Sequence, residues 1–119
     1  MLKKKYRLRK SISFSATFRL KNCKSNSFFV IYCGSQKKDK NFPTKVGVVV
    51  SKKIHKRAVK RNKIKRRLRE IYYSLFKNDE LPEKIKNAFS LVIIAKSQIL
   101  EADFQELKSS FYDLIRKFR

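Results

Sequence analysis

Eighteen consecutive residues, 52–69 (KKIHKRAVKRNKIKRRLR), contain eleven Lys or Arg and no acid. Threaded through them and beyond, Ile64, Leu68, Ile71, Tyr72 and Leu75 fall at i, i+4, i+7, i+8 and i+11. That spacing draws one apolar stripe down a helix over 57–77 and requires a core for the stripe to face. Arg61, Lys65 and Arg69 recur at i, i+4 and i+8, with Arg57 one turn earlier, on a face largely separate from the stripe. Like charges at this spacing repel and destabilise the isolated helix. The fold must therefore pin the helix by its apolar side, and a polyanion laid along the other side would relieve the repulsion.

A chain of 119 residues, 42% of them hydrophobic and with ten Phe and five Tyr, is the size of one domain, 1–119, with a core of its own. Its formal charge of +23 implies a polyanionic partner. The charge is unevenly placed. Asp39 is the one acid among the first 69 residues, against 24 Lys and Arg, whereas from Glu70 onward eight acids balance eight bases. A solvated charged face is the ordinary reading of a basic run, but such a face normally carries interspersed acids. Their absence over eighteen residues favours nucleic acid. Arg forks onto phosphate oxygens, and Asn62 has the groups to pair with a ribose or base edge. Composition alone does not choose RNA over DNA.

Other classes fit poorly. Cys23 and Cys33 do not make a disulfide framework, and His55 is the only His, too few ligands for zinc. The apolar runs 28–33 and 91–95 are far too short to span a bilayer, and the basic start MLKKKYRLRK has no apolar run after it. No membrane association is expected.

Before the basic run, Ile12, Phe14 and Phe18 share one face of a short helix over 11–20, for which Ser11 or Ser13 could serve as cap. Residues 27–33 (SFFVIYC) are apolar or aromatic at alternate positions on both sides, as in a strand covered on both faces. Residues 45–51 read as a second strand and 90–96 as another, after Asn78 and the 79–82 stretch end the long helix. A last helix over 102–118 aligns Phe104, Leu107, Phe111, Leu114, Ile115 and Phe118. Strands interleaved with helices in so short a chain give an α+β layered fold.

The string Arg61-Asn62-x-x-Lys65-Arg66-x-x-Arg69, preceded by Ala58 and by a strand ending in Val50-Ser51-Lys52-Lys53, closely resembles the RNR signature of the bacterial ribonuclease P protein family. Leu8, Phe14, Phe18, the segment Phe29-Val30-Ile31-Tyr32, LVIIAK and the closing amphipathic helix occur in that family's order, so the resemblance covers nearly the whole chain. It implies a single-domain α/β sandwich, a sheet of about four strands with three helices, and a left-handed βαβ crossover against the usual hand. The third strand is not marked separately. A short strand near Cys23 would make 45–51 the third.

The resemblance further implies the protein subunit of a ribonucleoprotein endoribonuclease that removes precursor tRNA 5′ leaders. Catalysis then belongs to the RNA subunit, with magnesium held mainly by that RNA and none by the protein alone. No catalytic residue is expected in this chain, and the setting is cytoplasmic. Matched by position, the RNA-binding residues are Lys52, Lys53, Arg57, Arg61, Asn62, Lys65, Arg66 and Arg69. A cleft for the single-stranded leader takes Phe14, Phe18, Val30 and Tyr32, with Lys65 at its edge. The implied partners are ribonuclease P RNA and precursor tRNA, with no obligate protein partner. Aromatic faces accept unpaired bases with little sequence preference, as substrates with varied leaders require. Without the resemblance, Phe14 and Phe18 read first as core, and Tyr32 equally as core or contact. Relatives often carry Gly near the end of the first helix, where this chain reads Arg19-Leu20-Lys21-Asn22. Residues 54–57 match the longer form of the loop before the motif, which makes His55 a loop residue near phosphate.

Two rivals differ in class. A structural RNA binder shares the charge but has no need of an open aromatic surface. A protein-only nuclease needs clustered carboxylates for magnesium, and the acids here are scattered and nearly absent from the basic part. DNA binding survives only as a non-specific reading, since neither helix-turn-helix spacing nor a zinc module is present.

Overall fold

The periodicities sort into elements close to their expected bounds in the computed structural model, which describes residues 4–39 and 41–118. In chain order these are α1 (Ser11–Arg19), β1 (Cys23–Ser25), β2 (Phe29–Cys33), β3 (Lys45–Val49), α2 (Ala58–Lys77), α3 (Glu83–Lys86), β4 (Ser90–Ala95) and α4 (Phe104–Ile115). Single 3-10 turns cover Lys4–Tyr6 and Ser97–Glu101. The structure thus adds one helix to the three expected. α3 is a single turn whose only buried side chain is Ile85, too short to leave a periodic signal. β1 is the short strand near Cys23.

The four strands form one sheet in the order β1-β2-β4-β3. β1–β2 and β2–β4 are antiparallel, and β3–β4 is parallel. A parallel neighbour cannot be reached by a hairpin, so α2 serves as the crossover from β3 to β4. Alternation then assigns the two faces. Phe29, Ile31 and Cys33 of β2, Leu91, Ile93 and Ala95 of β4, and Val46 and Val48 of β3 are buried in one core. The same core takes Leu68, Ile71, Tyr72 and Leu75 from α2 and Leu107, Phe111, Leu114 and Ile115 from α4. Each Val, Leu, Ile or Phe side chain among them contributes roughly 1.5–3 kcal/mol on burial, which holds the charged α2 in place despite its self-repulsion.

Ends are set locally. The Asp103 side chain accepts from the Glu106 backbone N–H at 2.8 Å and starts α4. α2 stops at Asn78, after which Asp79 takes a left-handed φ of 56°. Lys21, just past α1, also takes a left-handed φ, of 55°, in the region where glycine costs least. Lys10 stands at the N-cap of α1 without a side-chain bond, so neither Ser11 nor Ser13 occupies the cap position. Ile12 also departs from expectation. It is 75% exposed, and buried Thr17 takes the inner position beside Phe14 and Phe18.

Candidate nucleic-acid interface

Opposite the core, the second face of the sheet lies partly under α1. Its rows follow from the register: Tyr32 sits beside Val92 and Val92 beside Gly47, while Val30 pairs with Ile94 and Ile94 with Val49. α1 rests on the first row. The Phe18 ring meets Tyr32 edge-on with centroids 5.0 Å apart, and Phe14 lies 6.4 Å from Phe18. Thr17 and Ser90 join hydroxyl to hydroxyl, and Val92 is completely buried beneath the helix. The second row, Val30, Ile94 and Val49, stays half-buried beside the helix. Phe14, Phe18, Val30 and Tyr32 therefore share one aromatic and apolar surface on this face, each half-exposed.

Gly47 is a site residue that sequence reasoning missed. A Cβ there would overlap Cε1 and Cζ of Phe14 and approach Leu8 Cβ to 3.3 Å, so the bare backbone is what lets the far edge of the Phe14 ring approach the strand. An isolated Gly inside a valine-rich strand is the signal that could have found it. Ser90 was also missed. Its partner Thr17 lies 73 residues away, and no local pattern links them.

The basic residues divide by role. Lys52 and Lys53 are exposed on the loop after β3, and Arg57 is exposed at the N-cap of α2. Asn62 and Arg66 are exposed on the helix, and Lys65 is half-exposed. Arg61 has an internal task. Its Nη1 donates to the carbonyls of His55 at 2.9 Å and Lys56 at 2.7 Å, fastening the basic loop to the helix. His55 accepts the Arg57 backbone N–H at Nδ1, 3.1 Å away, which gives it a structural place in that loop. Arg69 is half-buried. Burial first, and the neighbouring Arg7 guanidinium second, pull it below the ordinary arginine value. Its Nε is buried without a hydrogen-bond partner, which costs on the order of 1–3 kcal/mol.

Among the described residues, the ion pair within bonding distance is Lys86–Asp79, far along the chain from the motif. Among the described residues, no carboxylate forms an ion pair with the basic stripe of α2. No group of three or more His, Cys, Asp or Glu side chains among the described residues could hold a metal ion. The donor set does not fit a protein-held magnesium site. No helix among the described residues is long and apolar enough to cross a membrane.

An acid-poor basic helix and a sheet with aromatic side chains on its other face define a small α+β nucleic-acid-binding protein. The family model for Ribonuclease P matches residues 2–119. A ribonuclease P protein component from Geobacillus sp. (strain WCH70) is 36% identical over 116 residues, covering 98% of this chain and 92% of the relative. One from Listeria welshimeri is 35% identical, covering 97% and 89%. Among solved structures, the RNase P protein from Thermotoga maritima aligns with a TM-score of 0.74 at 25% identity, covering 95% of this chain and 97% of that one. A Staphylococcus aureus RNase P protein mutant, described as defective in mRNA degradation activity, aligns with a TM-score of 0.76 at 25% identity, covering 93% and 86%. The chain belongs to the ribonuclease P protein family and is thereby the protein subunit of a ribonucleoprotein endoribonuclease of tRNA 5′ processing. Ribonuclease P RNA is the partner that membership implies.

Proposed function

We propose that this chain acts as one domain, 1–119, that binds two RNAs at two places. Lys52, Lys53, Arg57, Arg61, Asn62, Lys65, Arg66 and Arg69 bind ribonuclease P RNA. Phe14, Phe18, Val30 and Tyr32 line the groove that takes the single-stranded 5′ leader of precursor tRNA, with Lys65 at its edge. The observation that carries the second assignment is the half-exposed row beside α1. A strand laid there stacks bases on aromatic faces for about 1–3 kcal/mol each, with little regard to sequence. A structural RNA binder gains nothing by keeping that row open.

The protein's own contribution is to bind, orient and bring charge. Neutralising about six phosphates gives a slope near −5 in log affinity against log salt, from roughly −0.9 per phosphate. Magnesium chemistry belongs to the RNA, with no ion held by the protein alone. The setting is the cytoplasm, and no obligate protein partner is required. The test compares holoenzyme affinity for precursor tRNA with that for mature tRNA lacking a leader. Wild type is expected to prefer the leader-bearing substrate, and Phe18→Ala with Tyr32→Ala to lose the preference while leaving mature tRNA binding unchanged. An equal loss for both substrates would overturn the leader assignment.

A further inference from the structure

The acid-free run supplies more charge than the motif uses. At 3.6 residues per turn, Arg61, Asn62, Lys65, Arg66 and Arg69 occupy one flank of the apolar stripe of α2. Lys60, Lys63 and Arg67 occupy the other, their mean direction roughly 160° away. An RNA segment laid on the motif flank leaves this second flank uncovered.

The second flank borders a hollow of about 340 Å³ between α2 and the 3-10 turn Ser97–Glu101. Lys60, Lys63 and Arg67 supply its charged rim, His55 adds a polar edge, and Ile64, Ile99 and Leu100 form its apolar lining. No carboxylate lines it, and Lys60, Lys63 and Arg67 form no ion pair within the chain among the described residues. One large apolar side chain of the lining, Leu100, stays open to solvent at 48% exposure. Cations rimming an apolar hollow match a nucleic-acid strand, whose phosphates meet the rim while a sugar or base edge covers the lining.

We propose that this flank is a second binding site for ribonuclease P RNA, so that α2 is held between two separate segments of that RNA. The proposal rests on the RNA-binding reading above. The precursor leader is not the occupant, because its groove has Lys65, on the motif flank of α2, at its edge, and Lys60, Lys63 and Arg67 point roughly 160° away from that flank.

The test uses the full chain and an intact bacterial ribonuclease P RNA, with binding measured from 50 to 200 mM monovalent salt. At roughly one unit of slope per lost phosphate contact, Lys60→Gln with Lys63→Gln should make the log–log slope shallower by about 2. Adding Arg67→Gln should raise the change to about 3. Lys60 and Lys63 are exposed, so the double variant should keep the wild-type melting temperature. In the assembled holoenzyme, a photoreactive side chain at Leu100 should crosslink nucleotides of ribonuclease P RNA distinct from those reached by the same group at Asn62. An unchanged slope, or Leu100 crosslinks to the leader, to protein or to the Asn62 nucleotides, would overturn the second site. Absence of any salt-dependent binding by wild type would instead overturn the RNA-binding reading, and this site with it.

Discussion

Gly47→Ala probes the leader-binding surface without replacing any side chain proposed to meet RNA. The added methyl would overlap the far edge of the Phe14 ring and crowd Leu8 Cβ at 3.3 Å, inside the roughly 3.5–4.0 Å of ordinary carbon contact. Leu8 is buried and its backbone N–H donates to the Val46 carbonyl at 2.8 Å, so it yields little. Phe14 is half-exposed on a nine-residue helix and yields instead. Overpacking of this kind costs about 1–3 kcal/mol, read by urea denaturation of the protein alone. Displacing the ring also removes one stacking surface. Leader-dependent affinity should then fall by about 5- to 150-fold, the equivalent of about 1–3 kcal/mol. The assay is holoenzyme binding to precursor tRNA with and without its leader. Phe14→Ala removes the obstacle, so Gly47→Ala in that background should add little further loss of either quantity, a coupling of about 0.5–3 kcal/mol. Wild-type leader affinity in a destabilised Gly47→Ala, or strict additivity with Phe14→Ala, would refute the reasoning.

Other consequences are simpler to read. Lys21→Gly should raise stability by up to about 1 kcal/mol in urea denaturation, because Lys21 holds a left-handed φ of 55° that glycine adopts without penalty. At neutral pH a thiol reagent should label Cys23 rapidly and Cys33 slowly. Cys23 is exposed, whereas burial pushes the Cys33 thiol up, against a smaller opposing pull from Lys84, and leaves little thiolate. Equal labelling rates in the native protein would contradict that environment.

Much of the fold was legible because its signals are local. The α2 stripe, the two-sided apolar character of β2 and the apolar side of α4 each lie within one stretch of chain, and burial follows them. β1 was legible only as a possibility. Its residues Cys23, Lys24 and Ser25 are all exposed, and the strand exists through pairing with β2 rather than through any burial pattern of its own. Ile12 misled because a nine-residue helix offers two turns in which to choose a face, and the Thr17–Ser90 contact chose it from across the chain. The basic surface was legible from absent acids. The inward task of Arg61 was not, since a guanidinium aimed at loop carbonyls and one aimed at phosphate look alike in sequence.

The central claim, that this chain lends binding while RNA performs the cleavage, meets its most direct test in one reaction. Precursor tRNA is incubated at low magnesium with a bacterial ribonuclease P RNA, with this protein, and with both. Product at the mature 5′ end is expected only in the last case. Cleavage by the protein alone, or binding without any stimulation of a cognate RNA, would contradict it.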